Sequence, residues 1–303
     1  MTKKKIVCIV GPTGVGKTAI SLELASLFNG EIISADSMQI YKYMDIGTAK
    51  IMPNEMYGIV HHLLDIVEPT DNFSVAEWKN LAEEKIDEIT SRGKVPFIVG
   101  GTGLYINALI NNYQFYNSER NADNTSKYEK ILKEDGVERL YQMLQDKDPE
   151  FAKTVDPKKS RAIIRYLQIL ETSGADLKIK DEEQKYDYCL IGLTTEREKL
   201  YENINIRVDK MIEDGLENEV TNLVNNFGLN SSMQSAGAIG YREFWEYFNG
   251  EISRDKMIEL IKQHSRNYAK RQLTFMRTMK NLEWFEKEQK DQIIKRVKSF
   301  LKK

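Results

Sequence analysis

The chain has 303 residues, 41% of them hydrophobic, with a formal net charge of −2. That length holds one large or two modest domains, and the apolar share excludes a disordered chain. The balanced charge excludes a uniformly basic nucleic-acid binder, so charge has to be read locally. Cys8 and Cys189 lie in apolar runs without a Cys or His partner nearby, the pattern of small core residues in a reducing compartment rather than of a metal site. No run of about 18 apolar residues occurs, so no membrane span is expected. The first strand follows three lysines without a secretory pattern, and a cytoplasmic protein is expected.

Lys5–Val10 reads as a strand and Lys17–Phe28 as a helix with Ile20, Leu24 and Leu27 on one face. Between them, Gly11-Pro12-Thr13-Gly14-Val15-Gly16-Lys17-Thr18 matches G-x-x-x-x-G-K-[ST] in its required strand–loop–helix context. The glycines let backbone N–H groups turn inward around an anion. Lys17 reaches terminal phosphates, Thr18 can hold Mg²⁺, and the helix N-terminus adds partial positive charge. The ligand class is therefore a phosphate-bearing molecule. Which group is transferred stays open, because nucleotides and other pyrophosphates look alike to such a loop.

Glu31–Ser34 reads as a short strand that ends in Ala35-Asp36-Ser37-Met38-Gln39. Asp36 there is a Mg²⁺ ligand, a general base or a cap of the following segment. Glu77–Arg92 reads as a helix with Trp78, Leu81, Ile86 and Ile89 inward, and Val95–Val99 as a strand running into Gly100-Gly101-Thr102-Gly103. Thr102 is either a helix N-cap or a ligand contact. Apolar strands alternating with helices predict an α/β fold with a parallel sheet covered on both faces, and ligands in such sheets sit at the carboxyl ends of the strands. The three polar strand ends should line one cleft. No later strand ends in Asp, which leaves Asp36 as the acidic candidate and counts against a small-molecule kinase or NTPase.

Residues 113–185 differ in texture. Asn111 to Thr125 reads as a polar loop, and Lys127–Gln145 and Ser160–Thr172 as helices, the second stopped by Ser173-Gly174. An apolar strand returns at Tyr188–Leu193. Helices lodged between sheet strands predict an inserted all-helical domain. The 3–4 spacing of Leu200, Ile204, Val208, Met211, Leu216, Val220 and Leu223 then predicts helix over many turns, and Gly228–Gly240 a loop. Arg207 stands on that apolar stripe, where it needs an anion or a structural salt bridge. A last long helix is expected over Arg254–Met279. From Arg254 to Lys280 it carries eight basic and two acidic residues, with Tyr268 and Phe275 between them. That mixture suits a nucleic-acid backbone as well as a solvated face. Arg161 and Arg165 add a second basic spot. His61-His62 has nothing nearby to complete a metal site.

Taken together, Gly11–Thr18, Asp36–Tyr41, Met44–Lys50, His61–Ile66, Gly100–Ile106, Ala238–Tyr241 and Asn267–Thr274 resemble, in family order, the tRNA dimethylallyltransferases, also called tRNA isopentenyltransferases. The resemblance spans nearly the whole chain. It implies a P-loop NTPase-like core from residues 1–112 and 186–303 and an inserted tRNA-binding domain at 113–185; a monomer is expected. It implies that the loop grips the pyrophosphate of dimethylallyl diphosphate rather than a nucleoside triphosphate. The five-carbon group then moves to the exocyclic amine of the adenosine 3′ of the anticodon.

On that resemblance Asp36 is the general base and Thr102 contacts the same base. Arg207, Lys17 and Mg²⁺ stabilise the leaving diphosphate. The anticodon stem-loop is held by Asp36, Ser37, Met38, Gln39, Thr102, Lys127, Arg161, Arg165, Lys270 and Arg271, with the target base flipped into the channel. The chain departs from the family pattern at Lys127, where Arg is usual, at Arg165-Tyr166-Leu167-Gln168, and at Ser235-Ala236-Gly237. The competing readings are a kinase or NTPase, a prenyltransferase of free adenine nucleotides, and a non-catalytic RNA-binding protein. ATP turnover, AMP as acceptor, and RNA binding without turnover respectively mark them.

Overall fold

The computed structural model describes residues 3–113, 115, 122–153, 155–173 and 184–302. They divide into two compact units, Met1–Asn112 with Gln184–Lys303, and Tyr113–Glu183. In the first unit the chain runs β1 (Lys4–Val10), α1 (Lys17–Leu27), β2 (Gly30–Ser34), β3 (His61–His62), α2 (Val75–Ser91), β4 (Val95–Gly100) and α3 (Gly103–Ile110). In the second it forms α4 (Ala122–Lys147), α5 (Pro149–Ala152) and α6 (Ser160–Ser173). Back in the first it forms β5 (Tyr186–Thr194), α7 (Arg197–Glu213), α8 (Leu216–Phe227), α9 (Phe244–Phe248), α10 (Arg254–Met276), β6 (Glu283–Glu286) and α11 (Lys290–Lys302).

The described strands form one parallel sheet in the order β3-β2-β4-β1-β5-β6. β1 is central, with Val7 opposite Phe97 on one side and Cys189 on the other. Its alternation sorts the core. Ile6, Cys8 and Val10 face a cluster with α2 and α3, whereas Val7 and Ile9 face one with α1 and α11. Burial on both faces is what a parallel sheet requires, and it explains the unbroken apolar run in β1. α2 opens with a reciprocal cap between Ser74 and Glu77. Its Trp78 donates from Nε1 to the Ser34 carbonyl at 2.9 Å and stacks on Tyr105. The end of β2 is thereby pinned just before Asp36.

Some expectations change. Leu27 is 55% exposed, because the buried face of α1 centres on Ile20, Ser21, Leu24 and Ala25 and leaves Leu27 at its edge. The long apolar stripe of residues 200–223 is two helices, broken where Gly215 turns left-handed at φ 99°. Helix α4 begins at Ala122, inside the stretch read as a loop, and is interrupted at Gly136 (φ 84°, ψ 178°). The rest of that loop stretch, residues 114 and 116–121, and Gly174 lie outside the described residues. Cys8 and Cys189 are buried free thiols, both pushed up by burial. His61 and His62 form β3, with His62 Nε2 on Glu31 Oε2 at 2.7 Å, so the pair is structural. The helical unit closes its own core around Tyr128, Leu140, Leu144, Ile163 and Leu167.

Candidate functional site

The carboxyl ends of β1, β2 and β4 open into one cleft of about 530 Å³. Thr13, Gly14, Gly16, Lys17 and Thr18 line it, while Gly11, Pro12 and Val15 are buried behind it. Gly14 and Gly16 take φ of 78° and 96°, and Gly16 opens α1 in the left-handed conformation that a side chain would resist. Lys17 Nζ donates to the Gly11 and Pro12 carbonyls, both at 2.9 Å. Burial lowers its ammonium to about 8, against a raising influence of Asp36 and with a lowering one from Arg207.

Asp36 reconciles two of its readings. Its Oδ1 accepts from the Met38 N–H at 2.9 Å and the Gln39 N–H at 3.4 Å, capping the turn after β2. Oδ2 has no hydrogen-bond partner among the described residues, and Asp36 lines the cleft. Thr102 is not a side-chain N-cap of α3. Its Oγ1 instead accepts from the Ser37 N–H at 3.0 Å and donates to Ser37 Oγ at 3.3 Å, welding the β4 loop to the β2 loop. Gly100 permits that approach, since a Cβ there would lie 2.0 Å from the Ala35 carbonyl oxygen. Ser37, Met38 and Gln39 complete this wall.

α7 supplies the facing wall. Asn203 Nδ2 donates to the Gly14 carbonyl at 3.3 Å. Arg207 pairs with no carboxylate among the described residues, so the salt-bridge reading does not hold. Its Nη2 donates to the Thr48 carbonyl at 3.2 Å, burial lowers its guanidinium, and Asp36 opposes that shift. A half-buried cation held only by a carbonyl among the described residues is suited to an incoming anion. Beyond Arg207 the wall turns apolar through Ile204, Val208, Met211, Ala238 and Ile239.

α10 closes the site with Tyr268 and Arg271, named from the sequence, and with Gln272, to which the sequence reading gave no site role. Gln272 accepts from the Thr13 N–H at 3.0 Å and donates to the Gly101 carbonyl at 2.9 Å. It stands between Ala269 and Met276 at the buried spacing of α10, the same out-of-place polar signal that marks Arg207. Tyr268 lines the cleft, its phenol raised to about 12 by burial and by Asp36, with Thr102 and Gln272 easing the shift. Arg271 also lines the cleft, whereas Lys270 faces an outer groove with Phe275. The basic count of α10 overstates its free charge: Lys262 pairs with Asp209 at 2.8 Å and Arg254 with Glu217 at 2.9 Å. In the helical unit Lys127, Arg161 and Arg165 are exposed.

No cluster of three or more His, Cys, Asp or Glu side chains suited to a metal occurs among the described residues. Of the side chains lining the cleft, Thr18 and Asp36 are the oxygen donors that the sequence offers to a metal. That sparse set fits Mg²⁺, which keeps its waters and takes phosphate oxygens with one or two protein ligands. No helix among the described residues is long and apolar enough to cross a membrane.

The profile of the IPP transferase family matches residues 39–279. A tRNA dimethylallyltransferase of Bacillus cytotoxicus is 48% identical over 288 residues, covering 94% of this chain and 90% of the relative. One of Bacillus anthracis is 47% identical over 290 residues, covering 94% and 92%. Among solved structures, the full-length tRNA isopentenylpyrophosphate transferase of Bacillus halodurans superposes with a TM-score of 0.75. It is 41% identical, with coverage of 99% of this chain and 97% of that one. A eukaryotic dimethylallyltransferase acting on tRNA gives a TM-score of 0.76 at 31% identity, over 90% of this chain and 70% of that one.

Proposed function

The chain belongs to the IPP transferase family and is a tRNA prenyltransferase, and from that premise we propose how its cleft does the work. The donor is dimethylallyl diphosphate and the acceptor is the exocyclic amine of the adenosine 3′ of the anticodon. The carrying observation is the meeting of Lys17 and Arg207 with the free Oδ2 of Asp36 in one cleft that continues into an apolar wall.

The diphosphate settles on the inward N–H groups of the phosphate loop, and Lys17 exchanges two backbone carbonyls for phosphate oxygens. Mg²⁺ held by Thr18 would add charge neutralisation on those oxygens. Ile204, Val208 and Met211 give the five-carbon group a dry surface. A bond forms between the adenosine nitrogen and the allylic carbon as the carbon–oxygen bond to diphosphate breaks. Arg207 and Lys17 take up the negative charge that grows on the leaving oxygens. Asp36 Oδ2 accepts the amine proton, and Thr102, held against Ser37, orients the base. The adenosine must leave its stack to reach this depth. Lys127, Arg161, Arg165, Lys270 and Arg271 contact phosphates of the anticodon stem-loop.

The test is mass spectrometry of tRNA nucleosides after incubation with the donor. Prenylated adenosine next to the anticodon is expected, with AMP a poor acceptor and ATP not turned over. ATP hydrolysis without a donor, or AMP equalling tRNA, overturns the reading.

A further inference from the structure

Three of the sequence motifs, Met44–Lys50, His61–Ile66 and Ala238–Tyr241, lend the cleft backbone and apolar lining at Gly47–Ala49 and Ala238–Gly240 but no titratable group. They converge on one device behind it. Glu219 on α8 lies outside the cleft lining. Its Oε2 accepts from the Asp45 and Ile46 N–H groups at 2.9 and 2.7 Å. Its Oε1 accepts from the Gly47 N–H at 3.1 Å and the Tyr241 hydroxyl at 2.7 Å. Three consecutive backbone donors on one carboxylate are charge-assisted bonds that fix a loop closely. The loop is otherwise unfavourable: Tyr43 and Ala49 at its flanks hold φ of 63° and 46°. Its far end is tied by buried Lys50, which donates to Asp45, Asp65 and the Tyr41 carbonyl. A Cβ on Gly47 would strike the Tyr241 ring at 2.5 Å, so the loop sits flush on that ring.

The product of this bracing is one carbonyl. Thr48 O accepts from Arg207 Nη2 and from Gln39 Nε2, both at 3.2 Å. We propose that Glu219 is a positioning residue that sets the Thr48 carbonyl and, through it, aims Arg207 at the leaving diphosphate while holding Gln39 on the acceptor side. This rests on the reading of Arg207 given above. It adds that the donor and acceptor sides share a mechanical anchor outside the cleft.

The experiment is a double-mutant cycle of Glu219→Gln with Arg207→Ala, read as single-turnover prenyl transfer at saturating donor and tRNA, alongside thermal melting. Glu219→Gln places an amide NH₂ against the backbone donors. It should slow transfer on the order of 10- to 100-fold, with donor affinity changed far less. In the Arg207→Ala background it should cost much less, the remainder being what passes through Gln39. An equal loss in both backgrounds overturns the inference and leaves the role of Arg207 standing. An unchanged rate for Glu219→Gln overturns the inference as well. An unchanged rate for Arg207→Ala removes the Arg207 reading and this inference with it. Should Glu219→Gln fail to fold, Tyr241→Phe deletes one of the four bonds and carries the same cycle, with a smaller expected loss.

Discussion

The side-chain amide of Gln272 occupies the space where Gly101 lacks a side chain: a Cβ on Gly101 would lie 2.3 Å from Nε2. The same amide holds the Thr13 N–H, so one helix residue links the phosphate loop to the loop that carries Thr102. Gly101→Ala should push Gln272 aside and lower turnover by at least about tenfold. Adding Gln272→Ala makes room and should restore part of it. Steady-state kinetics of the two variants check this, and full activity in Gly101→Ala contradicts it.

Asp36 carries a cap on one oxygen and a candidate base on the other, and the two can be separated. Asp36→Asn keeps an oxygen for the Met38 N–H but cannot take a proton. It should melt like the parent while turnover falls by roughly 10²–10⁴. Asp36→Ala should show the same kinetic loss plus a destabilisation of about 0.5–1.5 kcal/mol from the lost hydrogen bond. Calorimetry and single-turnover assays on both variants distinguish the roles.

The lowered ammonium of Lys17 gives the enzyme an alkaline limb. Its charged form is the one that meets a diphosphate, so kcat/KM for the donor should fall as pH rises through about 8. Lys17→Arg should abolish that limb, because guanidinium stays charged. Stability moves the other way. With the folded value below the ordinary 10.5, the empty fold binds fewer protons than the unfolded chain across that window, and stability rises with pH there. A pH series of donor kinetics beside melting curves tests both signs.

The exposed cations of the helical unit are expected to act on phosphates rather than on bases. Lys127→Ala, Arg161→Ala and Arg165→Ala should each weaken tRNA binding alike across sequences. Each should also lower the slope of log affinity against log salt by about 1. Titrations at several salt concentrations measure it, and an unchanged slope removes that residue from the contact set.

The central parallel strands were legible because burial on both faces leaves unbroken apolar runs, as in Ile6–Val10 and in Tyr188–Leu193. The phosphate loop and Asp36 were legible because strand ends with polar sequence are rare. β3 and β6 were not. His61–His62 is too short for any period, and Glu283–Glu286 is an edge strand of mixed polarity. Gln272 and Glu219 escaped for a different reason. Their meaning lies in partners such as Thr13 and Gly47 that are distant in sequence, and spacing along a helix says nothing of what faces it. The charge of α10 misled in the same way, since Lys262 and Arg254 are matched by Asp209 and Glu217 on other helices.

The placement of β1 has a consequence for how the polypeptide is made. Its two lateral neighbours, β4 and β5, lie on opposite sides of the helical insertion in the chain. During synthesis β1 can pair with β4 early, but its other edge stays open until the ribosome has emitted all of α4 to α6 and then β5. An unpaired edge in a hydrophobic strand invites association with other chains. The helical insertion closes its own core, so it can fold during that wait, and the sheet is completed only when β5 and β6 arrive.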